Sequence, residues 1–232
     1  MALFVIGDLH LSLGGSKPMD IFDGWDGYVE KIKAGFEHVA PEDTVVLCGD
    51  LTWALSLEEA EEDFRFVAGL PGKKILLKGN HDYWFTTAAK AYTFFKARGF
   101  DDIEILNNNA FLYGDAVLCG TRGWLYDESV DGEHNRKILK REAVRFELSL
   151  AAAEKKSSGE KLCFFHYPPR FKGYVCDEIV ALMEKYGVKR CWYGHIHGKK
   201  GHRSAVTGVV GGIEYNMVSA DYVDFVPQNI HI

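Results

Sequence analysis

None of the five cysteines of this 232-residue chain stands in a CxxC pair. Cys48, Cys119, Cys163 and Cys191 lie inside apolar runs, and Cys176 falls on the apolar face of an expected helix. They read as small buried hydrophobes, which argues against a disulfide framework or a zinc–thiolate site and for a reducing compartment, the cytoplasm. Long hydrophobic runs are lacking too. The amino-terminal LFVI reaches Gly7 and Asp8 after a few residues, too short for a signal-peptide core or a bilayer span, so neither a leader nor a membrane partner is expected. Positive charge is in deficit, 27 Lys and Arg against 33 Asp and Glu, for a formal charge of −6. Tight binding to long nucleic acids, which needs clustered cations to neutralise phosphates, is therefore not expected. Short anionic substrates remain compatible, because a local positive centre such as bound metal outweighs the net charge.

What is present fits a globular protein: 47% apolar and 26% charged residues, in a length that suits a single domain over 1–232. Five times a short apolar run breaks into a glycine or aromatic residue and then a potential metal ligand: FVIGDLH, VVLCGD, ILLKGNHD, LCFFHYPP and CWYGHIHG. Each run has the length of a buried strand, and open α/β sheets place functional groups just beyond the carboxyl ends of their strands.

Strand and helix alternate through the first half. Helices are expected at Tyr28 to Val39, from a cap at Ser56 to about Ala68, and from Thr86 to a stop at Gly99; Ser56 and Glu59 have capping-box spacing. From Ile103, the runs IEIL, AFLYG and AVLCGT, separated by Asn107 to Asn109 and by Gly114 and Asp115, suggest an antiparallel meander in a second sheet. An amphipathic helix at Arg136 to Lys156, a strand KLCFFH, a helix at Tyr174 to Tyr186, a strand KRCWYGH and short β runs from Val206 to Val226 complete the chain. The fold class implied is α/β, a two-sheet β sandwich flanked by helices on both outer faces.

The strand-end side chains are Asp8, His10, Asp50, Asn80, His81, His166, His195 and His197. Side chains two apart in an extended chain share a face, which would aim Asp8 with His10 and His195 with His197. Singly, such residues are ordinary turn formers, but five of the chain's nine histidines occupy these positions. Oxygen and imidazole donors without sulfur suit Mn, Fe, Zn or Co ions without distinguishing them. The set exceeds what one ion takes while keeping an open position, so two ions are implied, bridged by one carboxylate.

The order DxH, GD, GNH, H before a proline-containing loop, and GHxH, from Asp8 to His197, resembles the calcineurin-like metallophosphoesterases. The resemblance implies that Asp8, His10, Asp50 and His197 hold one ion and Asp50, Asn80, His166 and His195 the other. Asp50 would bridge, and His81 would lie over the open side as the catalytic residue. It also implies the four-layer fold of that superfamily. Two such ions generate a hydroxide nucleophile at neutral pH for in-line attack on a phosphate ester. The protein serine/threonine phosphatases of the superfamily read GDxxDRG where this chain reads Gly49, Asp50, Leu51, Thr52, Trp53, Ala54, Leu55. Trp53 replaces the acid that orients the catalytic histidine, which favours a small or nucleotide-like phosphodiester over a monoester or phosphoprotein. A catalytically retired metal-binding scaffold is the alternative of another class. Arg122 is the candidate for gripping substrate phosphate, because its fork binds two oxygens at once. Trp53, Tyr83, Trp84, Trp124 and Tyr167 form a candidate aromatic rim, and the segments 11–26 and 126–135 are candidate cap elements.

Overall fold

The structure, a computed structural model, describes residues 1–125 and 132–232. The first sheet is built from β1 (Leu3–Ile6), β2 (Thr44–Cys48), β3 (Lys73–Leu77) and β4 (Ile103–Leu106), mutually parallel, with α1 (Tyr28–Gly35), α2 (Glu61–Gly69) and α3 (Ala88–Arg98) as the crossovers. The second holds β5 (Phe111–Tyr113), β6 (Ala116–Thr121), β7 (Lys161–Phe165) and β10 (Arg190–Tyr193). Between them in the chain run α4 (Gly132–Lys156), the small hairpin β8 (Arg170–Phe171) and β9 (Tyr174–Val175), and α5 (Asp177–Lys185). After α6 (Gly198–His202) come β11 (Gly208–Val210) and β12 (Ile213–Met217) in the second sheet, and β13 (Gln228–Ile230) returns to the first. The orders are β13-β1-β2-β3-β4 and β11-β12-β10-β7-β6-β5.

Strand alternation sorts the apolar residues into three cores. In β1, Leu3 and Val5 face the second sheet with Val46, Leu77, Leu118, Phe164 and Trp192, whereas Phe4 and Ile6 face α1, α2 and α3. In the second sheet Cys163, Phe165, Cys191 and Tyr193 face Phe146 and Leu150 of α4 and Ile179 and Met183 of α5. Helices therefore cover both outer faces of a two-sheet sandwich, as the sequence implies. Burial on both faces is why the parallel strands read as unbroken apolar runs. All five cysteines are free and buried.

Three expectations are corrected. IEIL belongs to the first sheet, parallel to β3, and only β5 and β6 form the antiparallel hairpin of the second. The asparagines between them carry the chain from one sheet to the other instead of closing a hairpin, with Asn108 at φ 61°. Tyr174 lies in β9 and the following helix starts at Asp177, because Cys176 N–H bonds the Pro169 carbonyl across the hairpin. At Ser56 half of the capping box forms, Glu59 N–H donating to Ser56 Oγ at 3.2 Å while the Glu59 carboxylate accepts from Leu55 N–H at 2.9 Å, but residues 57–60 are turns and the regular helix begins at Glu61. Among the described residues no helix is long and apolar enough to cross a membrane.

Candidate metal centre

The two sheets meet where β1 ends. Gly7 N–H bonds the Val218 carbonyl and the Gly7 carbonyl accepts from Ala220, so the peptide before Asp8 is tied to the end of β12. The loops after β1 and β2 are zipped together, Asp8 N–H to the Gly49 carbonyl and His10 N–H to the Asp50 carbonyl, both at 2.9 Å. Close approach explains the glycines that precede the ligands. A Cβ on Gly79 would overlap the backbone and carboxylate of Asp50, and one on Gly194 would overlap the Asp8 carboxylate. Four of the eight non-glycine residues with positive φ among those described are Asp8 (61°), His10 (46°), Asp50 (49°) and His195 (72°). The paired residues thus converge through left-handed turns, not by sharing the face of an extended strand as the spacing suggests. Such backbone conformations cost about 1–3 kcal/mol each and concentrate at functional sites.

All seven candidate ligands come together. The ligand atoms of Asp8, His10 and His197 lie within 4.8 Å of one another, and so do those of Asp50, His166 and His195. Asn80 Oδ1 is 2.6 Å from His166 Nε2. Asp50 Oδ2 stands between the groups, 3.8 Å from His10 Nε2 and 3.4 Å from His166 Nε2. Two imidazoles are oriented from behind. His166 Nδ1 lies 3.1 Å from the Cys48 carbonyl and His197 Nδ1 2.9 Å from Asp221 Oδ1, so each ring donates there and turns an Nε2 lone pair to the cluster. Asp221 also accepts Gly198 N–H at 2.9 Å. Sequence reasoning missed Asp221, and no spacing rule ties it to His197.

Burial dominates the electrostatics. It pushes the Asp8 carboxyl up to about 8 and raises Asp50, and it lowers His10, His166 and His195, the last to about 2. His197 is also penalised by burial, but the carboxylates of Asp221, Asp8 and Asp50 outweigh that and raise it. Among the described residues the ion pairs made by Asp8 and Asp50 are all to histidines. Two buried carboxylates, an amide and mostly neutral imidazoles form a donor set that suits a cation, and sulfur-free donors suit Mn, Fe, Zn or Co.

A cleft of about 1010 Å³ opens over His10, His81 and His197, walled by Met19, Phe22, Trp25, Trp53 and Phe225. His81 N–H donates to Asp50 Oδ1 at 2.7 Å, which fixes the residue against the cluster. Trp53 packs on the His81 ring at 4.2 Å and stacks on His10 at 4.9 Å, so an indole stands where an orienting acid was absent from the sequence. Asp82 does not take over that role. Its buried carboxylate accepts from the backbones of Leu51 and Gly79 and from Trp84 Nε1, knotting the two loops together. Among the described residues His81 Nδ1 is buried without a hydrogen-bond partner, and burial lowers the ring's pKa.

The other candidates divide. Segment 11–26 contributes Met19, Phe22 and Trp25 to the cleft, and Trp25, unremarked in the sequence, lies 5.8 Å from His10. Trp84 is a core residue packed on Phe64, whereas Tyr83 is exposed. Tyr167 is buried against His195 with ring centres 4.3 Å apart. Arg122 does not line the cleft. Its guanidinium lies 3.5 Å from Glu142 in a separate pocket, while its carbonyl accepts the N–H of His166. Of the cap segment 126–135, residues 126–131 lie outside those described.

Three solved structures share this architecture at low identity. A protein of unknown function from Aquifex aeolicus is 17% identical with a TM-score of 0.52, covering 98% of this chain and 95% of that one. A Thermus thermophilus protein is 15% identical with a TM-score of 0.57, covering 99% and 97%. A phosphopantetheinyl hydrolase from Mycobacterium tuberculosis is 14% identical with a TM-score of 0.56, covering 99% and 95%. These likenesses establish the fold alone. No curated protein matches the sequence. The family does match, over residues 1–199 and hence across every strand-end ligand, and the chain belongs to the calcineurin-like phosphoesterases.

Proposed function

We propose that the protein is a binuclear metal-dependent phosphoesterase acting on a small or nucleotide-like phosphodiester. The observation that carries this reading is Asp50 Oδ2, placed within 4 Å of an imidazole nitrogen from each of two three-residue clusters. Asp8, His10, Asp50 and His197 would hold one ion, and Asp50, Asn80, His166 and His195 the other. Bound ions of this kind supply an activated water and neutralise charge on phosphate oxygens.

The chain's own residues do the rest. His81 stands at the cleft mouth, tied by its backbone to Asp50, and offers a ring N–H to a phosphate oxygen or to the departing oxygen. Trp53 holds that ring by packing, with ring centres 4.2 Å apart. The cleft is too large for a phosphate alone. Its aromatic wall suits a flat organic group; on its margin Lys199 is paired with Asp23 at 3.1 Å, which leaves Lys31 and Lys200 as the cations suited to an anionic group, and together these support a nucleotide-like ester. A net charge of −6 supports a small substrate over a long nucleic acid, and five buried free thiols support a cytoplasmic setting.

The test is elemental analysis of the purified protein together with rates on aryl phosphate diesters and monoesters in the presence of Mn²⁺. Two ions per chain and faster diester turnover are expected; full metal content with no turnover of any ester would favour a retired scaffold. His81→Ala should keep both ions and lose at least about 100-fold in kcat, the range removed with a positioned proton donor. Metal and activity lost together would overturn the role given to His81.

A further inference from the structure

A second, smaller pocket of about 260 Å³ lies beside the metal centre, lined by the ends of β3 and β6 and by α4. Four cations line it, Lys78, Arg122, Arg141 and Arg145, against the single carboxylate of Glu142 among the described lining residues. Glu142 is buried, and its Oε2 accepts from Thr121 Oγ1 at 2.9 Å. Its Oε1 alone faces three guanidinium groups, Arg145 at 2.8 Å, Arg122 at 3.5 Å and Arg141 at 3.9 Å. A network that merely fastened α4 to β6 would need one arginine for one carboxylate. Among the described residues, it would not leave Arg122 Nε buried without a hydrogen-bond partner, nor Lys78 with only the Phe85 carbonyl, 3.3 Å away, as its hydrogen-bond acceptor. Like charges gathered in a partly desolvated space repel unless an anion joins them, and guanidinium forks match the oxygens of phosphate.

We propose that this pocket binds a phosphate-class anion through Lys78, Arg122, Arg141 and Arg145. At just under the roughly 300 Å³ where small-molecule pockets begin, it holds a phosphate group with its bound water and is small for a whole drug-sized ligand. The Arg122 carbonyl accepts the N–H groups of His166 at 3.2 Å and Tyr167 at 2.8 Å, and Lys78 lies two residues before Asn80. The anion therefore sits beside the Asn80, His166 and His195 group, whereas the large cleft opens on the side of His10 and His197. It has two sources: a second phosphate carried by the substrate, which rests on the phosphoesterase reading above, or free inorganic phosphate.

The experiment uses the metal-loaded protein and the double variant Arg141→Gln/Arg145→Gln, whose side chains are 54% and 41% exposed in the parent and so tolerate exchange. KM is compared for an aryl phosphate ester with and without a second phosphate group. Amide hydrogen exchange at residues 107–109 and 121–122 is followed with and without inorganic phosphate. For a substrate-borne anion, the second phosphate lowers KM about tenfold in the parent, and the double variant loses that preference. For a free anion, the two esters behave alike, but inorganic phosphate slows exchange at those amides in the parent and not in the variant. Neither effect in the parent, or either one undiminished in the variant, overturns the proposal. Metal-dependent hydrolysis of the simple ester alongside that negative result would leave the phosphoesterase reading standing.

Discussion

Asp221 shows how much of a candidate metal site lies one residue behind its candidate ligands. Its carboxylate takes the Nδ1 proton of His197 and the Gly198 N–H, and it lies 3.2 Å from His202 Nε2. An imidazole held in this way has its lone pair already aimed, and removing such a partner typically lowers metal affinity about 10–100-fold. Asp221→Asn, which can still accept from Nδ1, should fall at the lower end of that range and Asp221→Ala at the upper. Competition against a chelator, with the fold checked by circular dichroism, measures both; equal affinity in Asp221→Ala would rule out the orienting role. The seven candidate ligands themselves were legible because each closely follows an apolar run. Asp221 sits in a turn 24 residues beyond His197, where nothing separates it from any surface aspartate. Trp53 was legible as a missing acid and as a candidate rim aromatic; that the indole packs on both His10 and His81 depends on contacts no linear pattern encodes.

Among the elements, the strands were easiest to read and their pairing hardest. A parallel strand returning from α3 and the first strand of a meander look alike, since both are short apolar runs bounded by turn residues; β4 was misplaced for that reason. What fixes the crossing from one sheet to the other is a side chain on a distant helix. Ser149 of α4 accepts the Gly120 N–H at 2.9 Å and donates to the Asn109 carbonyl at 2.6 Å. The β5–β6 register runs only from Ala116 to Leu118, so Ser149 satisfies a strand end its neighbour does not reach. Ser149→Ala leaves a buried donor and a carbonyl unpaired. It should cost about 2 kcal/mol, read as a lower urea midpoint at unchanged slope. No change in midpoint would mean that water replaces the hydroxyl at no cost.

Across the whole molecule, the site is a seam. Asp8, Asp50 and Asn80 follow β1, β2 and β3 of one sheet, while His166, His195 and His197 follow β7 and β10 of the other. Sequence alternation implied two sheets, but their relative placement depends on the core of Val5, Val46, Leu118 and Phe164 between them, and only that packing brings both rims to one point. Without a cation, Asp8 and Asp50 are two buried carboxylates that raise each other's cost, Asp8 reaching a pKa of about 8 through burial first and Asp50 after it. Ions bound there would relieve that cost and tie the sheets together, and an unfolded chain offers no such assembled set. Binding to the folded state alone stabilises it by about 2.7 kcal/mol at a free metal concentration 100 times Kd. For a chain of this length each kcal/mol moves the melting temperature by about 2–4 °C. Chelation should therefore lower Tm by roughly 5–10 °C for each ion removed, restored on adding Mn²⁺ back. The loss should be smaller in His166→Ala, which has already given up a ligand from the second sheet. An unchanged Tm after metal removal verified by elemental analysis would mean that the hydrophobic core holds the seam closed unaided.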